Sequence, residues 1–323
     1  MLGTPVSPAY QVARRTGPMM AQDATPLERT TPIRLGGRRV VIAGDPGDHY
    51  VGALPEFAAK LAPLARYLER TLPQAPLCLD VGANIGLTAI LMALARPEGE
   101  VIAFEASPKN AHYLRRNLAR NGIANCTVAE TAVGAHEGHA AFRETAFAAA
   151  SHVVRGDPKA LPPHDAVRVP VTTLDRFLEG RTPRAIDFIK LDVEGFEPPV
   201  LAGGAETLAR HRCPLYMEFN AWCLLVYQNF NPLALAATLI ERFDLARLDA
   251  AGNATPLAAP SVAQFMKENL IDHRCVDDIL VRLKPGACIP PLEEMTKCAD
   301  DLDAARALRR LQPAAPAAER AVL

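Results

Sequence analysis

The stretch Leu77-Cys78-Leu79-Asp80-Val81-Gly82-Ala83-Asn84-Ile85-Gly86, followed directly by the apolar run 87–95, decides the fold. Residues 77–81 are apolar but for Asp80 and predict a short strand. Pro73 and Pro76 stop what precedes it. Gly82 and Gly86 punctuate a turn, and 87–95 has the length and composition of a buried helix. Strand, glycine turn and helix in that order open an α/β sheet.

Working outward, the alternation repeats. Residues 100–105 predict a second strand that ends on Glu105. Ser107-Pro108 reads as N-cap and first residue of a helix running to Asn121, which Asn121-Gly122 closes. Residues 126–133 predict a third strand. Residues 186–192 predict a fourth, nearly all apolar and so covered on both faces. A helix over 201–210 leads to a fifth strand over 214–219. Asn231-Pro232 repeats the cap-then-proline signature for a helix to Phe243, and 245–248 and 278–283 predict two last strands. There is no internal repeat, and the order describes an open, mostly parallel α/β sheet.

Upstream, residues 1–30 have no period and read as a mobile leader. Residues 33–43 predict a hairpin turning at Gly36-Gly37. Leu54, Phe57, Leu61, Leu64 and Leu68 recur at helical spacing and predict a helix up to Leu72. Downstream, Leu292, Met295, Ala299, Leu302 and Ala305 share a helical face within 291–311. Such a stripe docks on its own domain or on a second copy as a homodimer contact. The expected units are a leader (1–30), a hairpin and helix (31–73), the main domain (74–287) and a C-terminal helix and tail (288–323).

Of 323 residues, 49% are apolar and 22% charged, which excludes wholesale disorder. Lys plus Arg is 35 against 36 for Asp plus Glu, so no basic excess exists to attract nucleic acid. No apolar run approaches the roughly 20 residues that span a bilayer, so no membrane partner is expected. No apolar signal region opens the chain, and a cytoplasmic location follows by default. The seven cysteines are odd in number and lack C-x-x-C, which argues against a disulfide framework or a zinc ribbon.

Open α/β sheets bind ligands outside the carboxyl ends of their strands. Asp80 puts a carboxylate at the first tip, Gly82 lets the backbone turn sharply, and Gly86 lets the following helix pack near the strand. Glu105 ends the second strand, where a carboxylate accepts two hydrogen bonds from a ribose diol. The G-x-G-x-x-G of a pyrophosphate cradle is missing. Asp80, Gly82, Gly86 and Glu105 therefore outline a nucleoside carrying an amino-acid-like group, and S-adenosylmethionine fits that outline.

Along the fourth strand Lys190, Asp192 and Glu194 share one direction if the strand stays regular. Asp192 is the first choice to orient or deprotonate an acceptor hydroxyl, and Glu194 the second. Lys190 reads as a salt-bridge partner and Glu197 as a helix N-terminal acid. Glu218 and Asn220, at the fifth tip, suit sugar hydroxyls. No dedicated metal site is assigned, although Asp192, Glu194 or Glu218 offers the oxygen ligands that suit a divalent cation such as magnesium. Segment 146–163 has the look of a substrate lid, with Ser151 and His152 as polar contacts or His152 as a plain loop residue. Trp222 and Tyr227 flank a sugar ring or belong to the core, and Thr172 to Asp175 reads as a helix capping box.

Three blocks carry a resemblance: Asp80-Val81-Gly82-Ala83-Asn84-Ile85-Gly86; Ala103-Phe104-Glu105-Ala106-Ser107-Pro108 with Asn110; and Phe188-Ile189-Lys190-Leu191-Asp192-Val193-Glu194-Gly195-Phe196-Glu197. Over roughly residues 75–285 the chain resembles FkbM-type methyltransferases, with Ala106 standing where that family usually has Pro. The resemblance implies a Rossmann-like class I methyltransferase fold, a seven-stranded sheet of order 3-2-1-4-5-7-6 with helices on both faces and the seventh strand antiparallel. It implies S-adenosylmethionine as cofactor, with Asp80, Gly82, Ala83, Asn84 and Gly86 around the methionine part, Glu105 on the ribose, and Ala132 and Val133 along the adenine. The expected activity is O-methylation of a hydroxyl on a sugar or secondary metabolite, with a small-molecule or glycan acceptor as partner. A nicotinamide oxidoreductase and a non-catalytic cofactor-binding scaffold are the alternatives.

Overall fold

The computed structural model describes residues 28–145, 147–154, 166–181, 184–258 and 260–297. The expected leader up to residue 27, residues 146 and 155–163 of the expected lid, and positions 299, 302 and 305 of the C-terminal stripe lie outside the described residues.

One large sheet organises the chain. From one edge its strands are Cys126–Ala129, Glu100–Phe104, Leu77–Val81, Phe188–Leu191, Leu215–Asn220, Val276–Leu283, Phe243–Leu248 and Ala254–Pro256. The first five run parallel, and Val276–Leu283 is antiparallel to both its neighbours. Counted along the chain from Leu77–Val81, and setting aside the added three-residue edge strand Ala254–Pro256, the order is 3-2-1-4-5-7-6. This is the class I methyltransferase topology that the resemblance implied, with one strand more than the seven expected.

The sheet is buried on both faces, which is why Phe188–Leu191 carries no exposed residue. Its pleat sends Leu77, Leu79, Val81, Ile189, Leu191, Met217 and Phe219 into one core. Cys78, Phe188, Tyr216 and Leu280 go to the other. Asp80, Lys190, Glu218 and Asp278 follow the second parity, two residues nearer the ligand end. Lys190 lies level with Asp80 and Tyr216, and Glu218 level with Asp278. One sheet face therefore changes from apolar to ionic as it nears the strand tips.

Several local expectations are corrected. The single helix expected from Leu54 to Leu72 is two, Leu54–Lys60 and Ala62–Thr71, and a short helix that was not expected, His49–Gly52, precedes them. Pro55 and Pro63 sit in first turns, where no amide hydrogen is needed, and so start new helices. The third strand stops at Ala129, and Ala132–Val133 pairs instead with Val171-Thr172. Those two residues belong to a second sheet, ordered Ala132–Val133, Val167–Thr172, Gly138–Arg143 and His152–Val154, which was not foreseen. The helix expected over 201–210 is two, Glu197–Gly203 and Ala205–His211. Thr173, not Thr172, caps the helix Leu174–Leu178; Asp175 instead accepts the amides of Glu206 and Thr207 at the next helix start.

The hairpin Arg29–Leu35 with Arg38–Gly44 turns at Gly36 (φ 54°) and Gly37 (φ 75°), both left-handed. Asn117 fastens it by donating to the Ala43 carbonyl and accepting from the Ala43 amide. Leu292–Thr296 docks within the chain, with Met295 fully buried in the first core. The six described cysteines are free thiols. Among the described residues no helix is long and apolar enough to cross a membrane.

Candidate active site

A cavity of about 750 Å³ opens at the carboxyl ends of the parallel strands. Its two ends are built differently.

At one end the turn after Leu77–Val81 meets the tip of Glu100–Phe104. Gly82 and Ala83 both donate to the Phe104 carbonyl, at 3.0 and 2.9 Å, and Gly86 donates to Ala83. Asn84 (φ 51°) donates its amide to Glu105 Oε2 at 2.7 Å, and Ser107 donates to Glu105 Oε1 at 2.8 Å. The Glu105 carboxylate is thus fixed by backbone on both oxygens, each with a lone pair left for a ligand. Burial raises its pKa to about 7, against the pull of those two amides. Asn84 and Glu105 line the cavity, and the Asn84 Oδ1 is buried without a hydrogen-bond partner.

The two glycines of the turn have tertiary reasons. A side chain on Gly82 (φ 84°) would put its Cβ 1.8 Å from the Asp192 carbonyl oxygen, so the neighbouring strand tip excludes it. On Gly86 (φ 104°) it would meet Leu114 at 2.5 Å. The packing that Gly86 permits is therefore with the helix Pro108–Arg120, not between strand and following helix as the sequence suggested.

Asp80 is fully buried below the cavity and does not line it. Its Oδ2 accepts from Thr88 at 2.7 Å, and its Oδ1 has only the Lys190 ammonium, 4.0 Å away. Burial raises its pKa, and Lys190 opposes the rise. Lys190, itself buried, donates to Asp192 Oδ2 at 3.0 Å and to the Gly82 carbonyl at 3.3 Å. The salt bridge expected for Lys190 is therefore present, and it links two strand-tip carboxylates.

At the other end acids converge. One carboxylate oxygen from each of Asp192, Glu194 and Glu218 lies within 4.8 Å of the others. Strand geometry ends at Leu191, and Glu194 reaches the cluster through a left-handed turn (φ 54°), not by strand alternation. That turn is held from behind by Glu197, whose Oε1 accepts from Val193 at 3.0 Å and Gly195 at 3.4 Å. Burial first, then the Asp192 charge, pushes Glu194 up to about 8, although Cys223 donates to it at 3.0 Å. Glu218 is raised well above the carboxylate range by burial and by Asp192, Glu194 and Asp278. Asp278, level with Glu218 on the antiparallel strand, is raised to about 6 by burial first. Asn220 donates to Glu218 at 3.2 Å, and its own Oδ1 caps the helix Ala221–Val226. Trp222, 44% exposed, stands at this end of the cavity with Tyr227 edge-on at 4.9 Å.

The cavity thus brings together Gly82, Ala83, Asn84, Glu105, Ala132, Val133, Asp192, Glu194, Glu218 and Asn220. Asp80, Gly86 and His152 are not on its wall. His152 is buried in the second sheet, its ring stacked on Tyr227 at 3.8 Å and its Nδ1 2.9 Å from the Ala150 carbonyl. Burial lowers its pKa and favours the neutral ring. Sequence reasoning missed Asp278 and Tyr216 as cavity residues, because each lies on a strand read only as structure. Strand parity counted from Glu218 and Leu280 could have found them. It also missed Tyr50 and Phe57, which carry no motif.

Residues 80–228 match the model of the methyltransferase FkbM domain. The 2-O-methyltransferase NoeI of Sinorhizobium fredii (strain NBRC 101917 / NGR234) is 28% identical over 182 residues, covering 53% of this chain and 73% of that protein. Methyltransferase sdnD of Sordaria araneosa is 44% identical over 50 residues, 16% of this chain and 19% of its own length. The crystal structure of methyltransferase FkbM from Methylobacillus flagellatus KT aligns with a TM-score of 0.37 and 17% identity, over 65% of this chain and 44% of that one. Over residues 80–228 this chain is thus similar to the methyltransferase FkbM domain.

Proposed function

We propose that the cavity binds S-adenosylmethionine at the Glu105 end and a hydroxyl-bearing acceptor at the carboxylate end, so that the chain is an O-methyltransferase. The observation that carries this reading is the hydrogen bonding of the turn. Gly82, Ala83, Asn84 and Gly86 all give their amides to protein oxygens, leaving none of the four to cradle a pyrophosphate. The pyrophosphate of a nicotinamide dinucleotide therefore finds none of these four amides free. A sulfonium donor needs none: its ribose diol suits the pinned Glu105, and the unpartnered Asn84 Oδ1 suits an ammonium or hydroxyl donor.

Bound S-adenosylmethionine would supply the activated methyl. The residues of the chain do the rest. Asp192, 34% exposed and steadied by Lys190, accepts the acceptor hydroxyl's proton. Glu194, protonated near neutral pH by its raised pKa, donates a hydrogen bond instead of acting as base. Trp222 offers a ring face and Glu218 and Asn220 polar edges, a pairing that suits a sugar or another polyhydroxylated ring. The NoeI relative, named as a 2-O-methyltransferase, supports an oxygen acceptor.

Calorimetry tests the donor half: S-adenosylhomocysteine should bind and NADH should not, and the reverse would overturn the reading. Label transfer from methyl-labelled donor to a metabolite and glycan panel tests the other half. Retention of turnover by Asp192→Ala would remove Asp192 as base, and binding without any transfer would favour a scaffold. The spacing of Asp192, Glu194 and Glu218 also suits a divalent cation such as magnesium. Transfer that is lost in EDTA and restored by magnesium would establish that role.

A further inference from the structure

The cavity is roofed by two segments distant in sequence. Residues 147–151 cover it from the second sheet, and Tyr50, Phe57, Lys60 and Leu61 close it from a helical arm that precedes the matched domain. A single buried carboxylate joins them. Asp48, 6% exposed, accepts the Tyr50 amide at 2.9 Å, capping the arm's first helix, and accepts the Ala148 amide on both oxygens at 3.1 Å. Around this tie Tyr50, Phe57 and Phe147 form an aromatic cluster, with centroids 4.7, 5.8 and 6.1 Å apart. The far side of the roof is held separately. Gln228 donates to the Val153 carbonyl at 2.8 Å, and His152 stacks on Tyr227. Phe142 and Val153 pack with Ala106 and Ala132, so the same roof reaches the Glu105 end.

We propose that Asp48 is a positioning residue of the donor site, acting through segment 147–151, which it holds over the cavity. The inference rests on the donor reading above. Asp48 touches no ligand. It sets the roof's height by gathering one backbone amide from each of the two roofing segments. A carboxylate suits this task because one oxygen serves both amides while the second also serves Ala148. The arm is therefore part of the working site, and the matched domain alone lacks one wall of it.

The test uses S-adenosylhomocysteine and the whole chain. Dissociation is followed by stopped-flow and amide exchange by mass spectrometry. In Asp48→Ala the probe should leave about tenfold faster or more, and residues 147–151 should lose protection in the bound state. Asp48→Asn keeps an accepting oxygen and should restore most of both. Ala148→Pro removes the donor from the other side. Its position at the start of a short 3₁₀ helix, after an extended Phe147 (φ −119°), tolerates proline. Combined with Asp48→Ala it should add little, since either change breaks the same tie. Unchanged dissociation in a folded Asp48→Ala, or full additivity of the two changes, overturns the proposal. If Asp48→Ala does not fold, the Asn and Pro variants decide by the same dissociation rates. If the wild type binds no S-adenosylhomocysteine, the donor reading fails first, and the two failures are distinguishable.

Discussion

The Glu105 end of the cavity is made by residues 80–107, one strand-turn-helix-strand stretch, and its geometry is backbone. Four turn amides are committed to protein oxygens, and the one carboxylate is held by two amides. The carboxylate end draws Glu218 and Asp278 from two strands and Asp192 and Glu194 from the turn after a third, and its geometry is electrostatic. A backbone-built corner tolerates little change in its chain but binds one shape well. A charge-built corner tolerates the chain and depends on how protons are shared among like groups. The first suits an invariant cofactor, the second a variable acceptor.

The two ends meet at Gly82, and the severest perturbation lies there. Gly82→Ala places a Cβ 1.8 Å from the Asp192 carbonyl oxygen at a left-handed φ. It should cost about 3 kcal/mol or more in urea unfolding and disturb both ends together. Asp192→Asn should separate them. Transfer measured with labelled donor should fall about a hundredfold, while S-adenosylhomocysteine affinity stays within roughly threefold by calorimetry. Glu105→Ala should do the converse, raising the dissociation constant about tenfold or more by removing a charged acceptor.

Protonation gives a subtler contrast. Glu105 is raised from 4.5 to about 7 by burial, and its ionised form is the better acceptor for a diol. S-adenosylhomocysteine affinity should therefore rise between pH 6 and 8, and Glu105→Gln should flatten that rise. Folding should respond with the opposite sign. Glu105, Glu194 and Glu197 are all raised by burial, to about 7, 8 and 7, so the folded chain holds more protons than the unfolded one above pH 4.5. Their contribution to stability is complete at low pH and is lost as pH rises through 7 to 8, which urea titrations of the unliganded protein at pH 5.5 and 8 would reveal. The smallest effect expected is Trp222→Ala, a roughly three- to tenfold rise in acceptor KM with donor affinity unchanged, since one exposed ring stacks on the acceptor alone.

Legibility in the sequence followed the same division. Glu105 and the turn were readable because strand, glycine and acid stand in a short register. Asp192, Glu194 and Glu218 could be named, but the reason for Glu194 was wrong: a left-handed turn, not strand parity, brings it in. His152, read either as a substrate contact or as a plain loop residue, is buried on a strand of the second sheet with its ring stacked on Tyr227. Ala132 and Val133 reach the cavity from the second sheet. That sheet escaped notice because its strands are only two to six residues long, and its one clean alternation, Val167, Val169 and Val171, is interrupted by Pro170, which argues against a strand.

By itself the sequence determined the succession of the seven main strands of the large sheet, the two capped helices after Ser107 and Asn231, and the acid at the second strand tip. Each of these is a local pattern of polarity, proline or glycine that costs or gains free energy within a few residues. Only the tertiary structure decided that Asp80 lies under the cavity floor, that Asp278 joins the acids, that Tyr50 lines the cavity and that Asp48 gathers the Tyr50 and Ala148 amides. Those facts depend on register between strands and on contacts between residues 100 and more positions apart in the chain. No local propensity encodes them; they arise when burial forces distant polar groups to find one another.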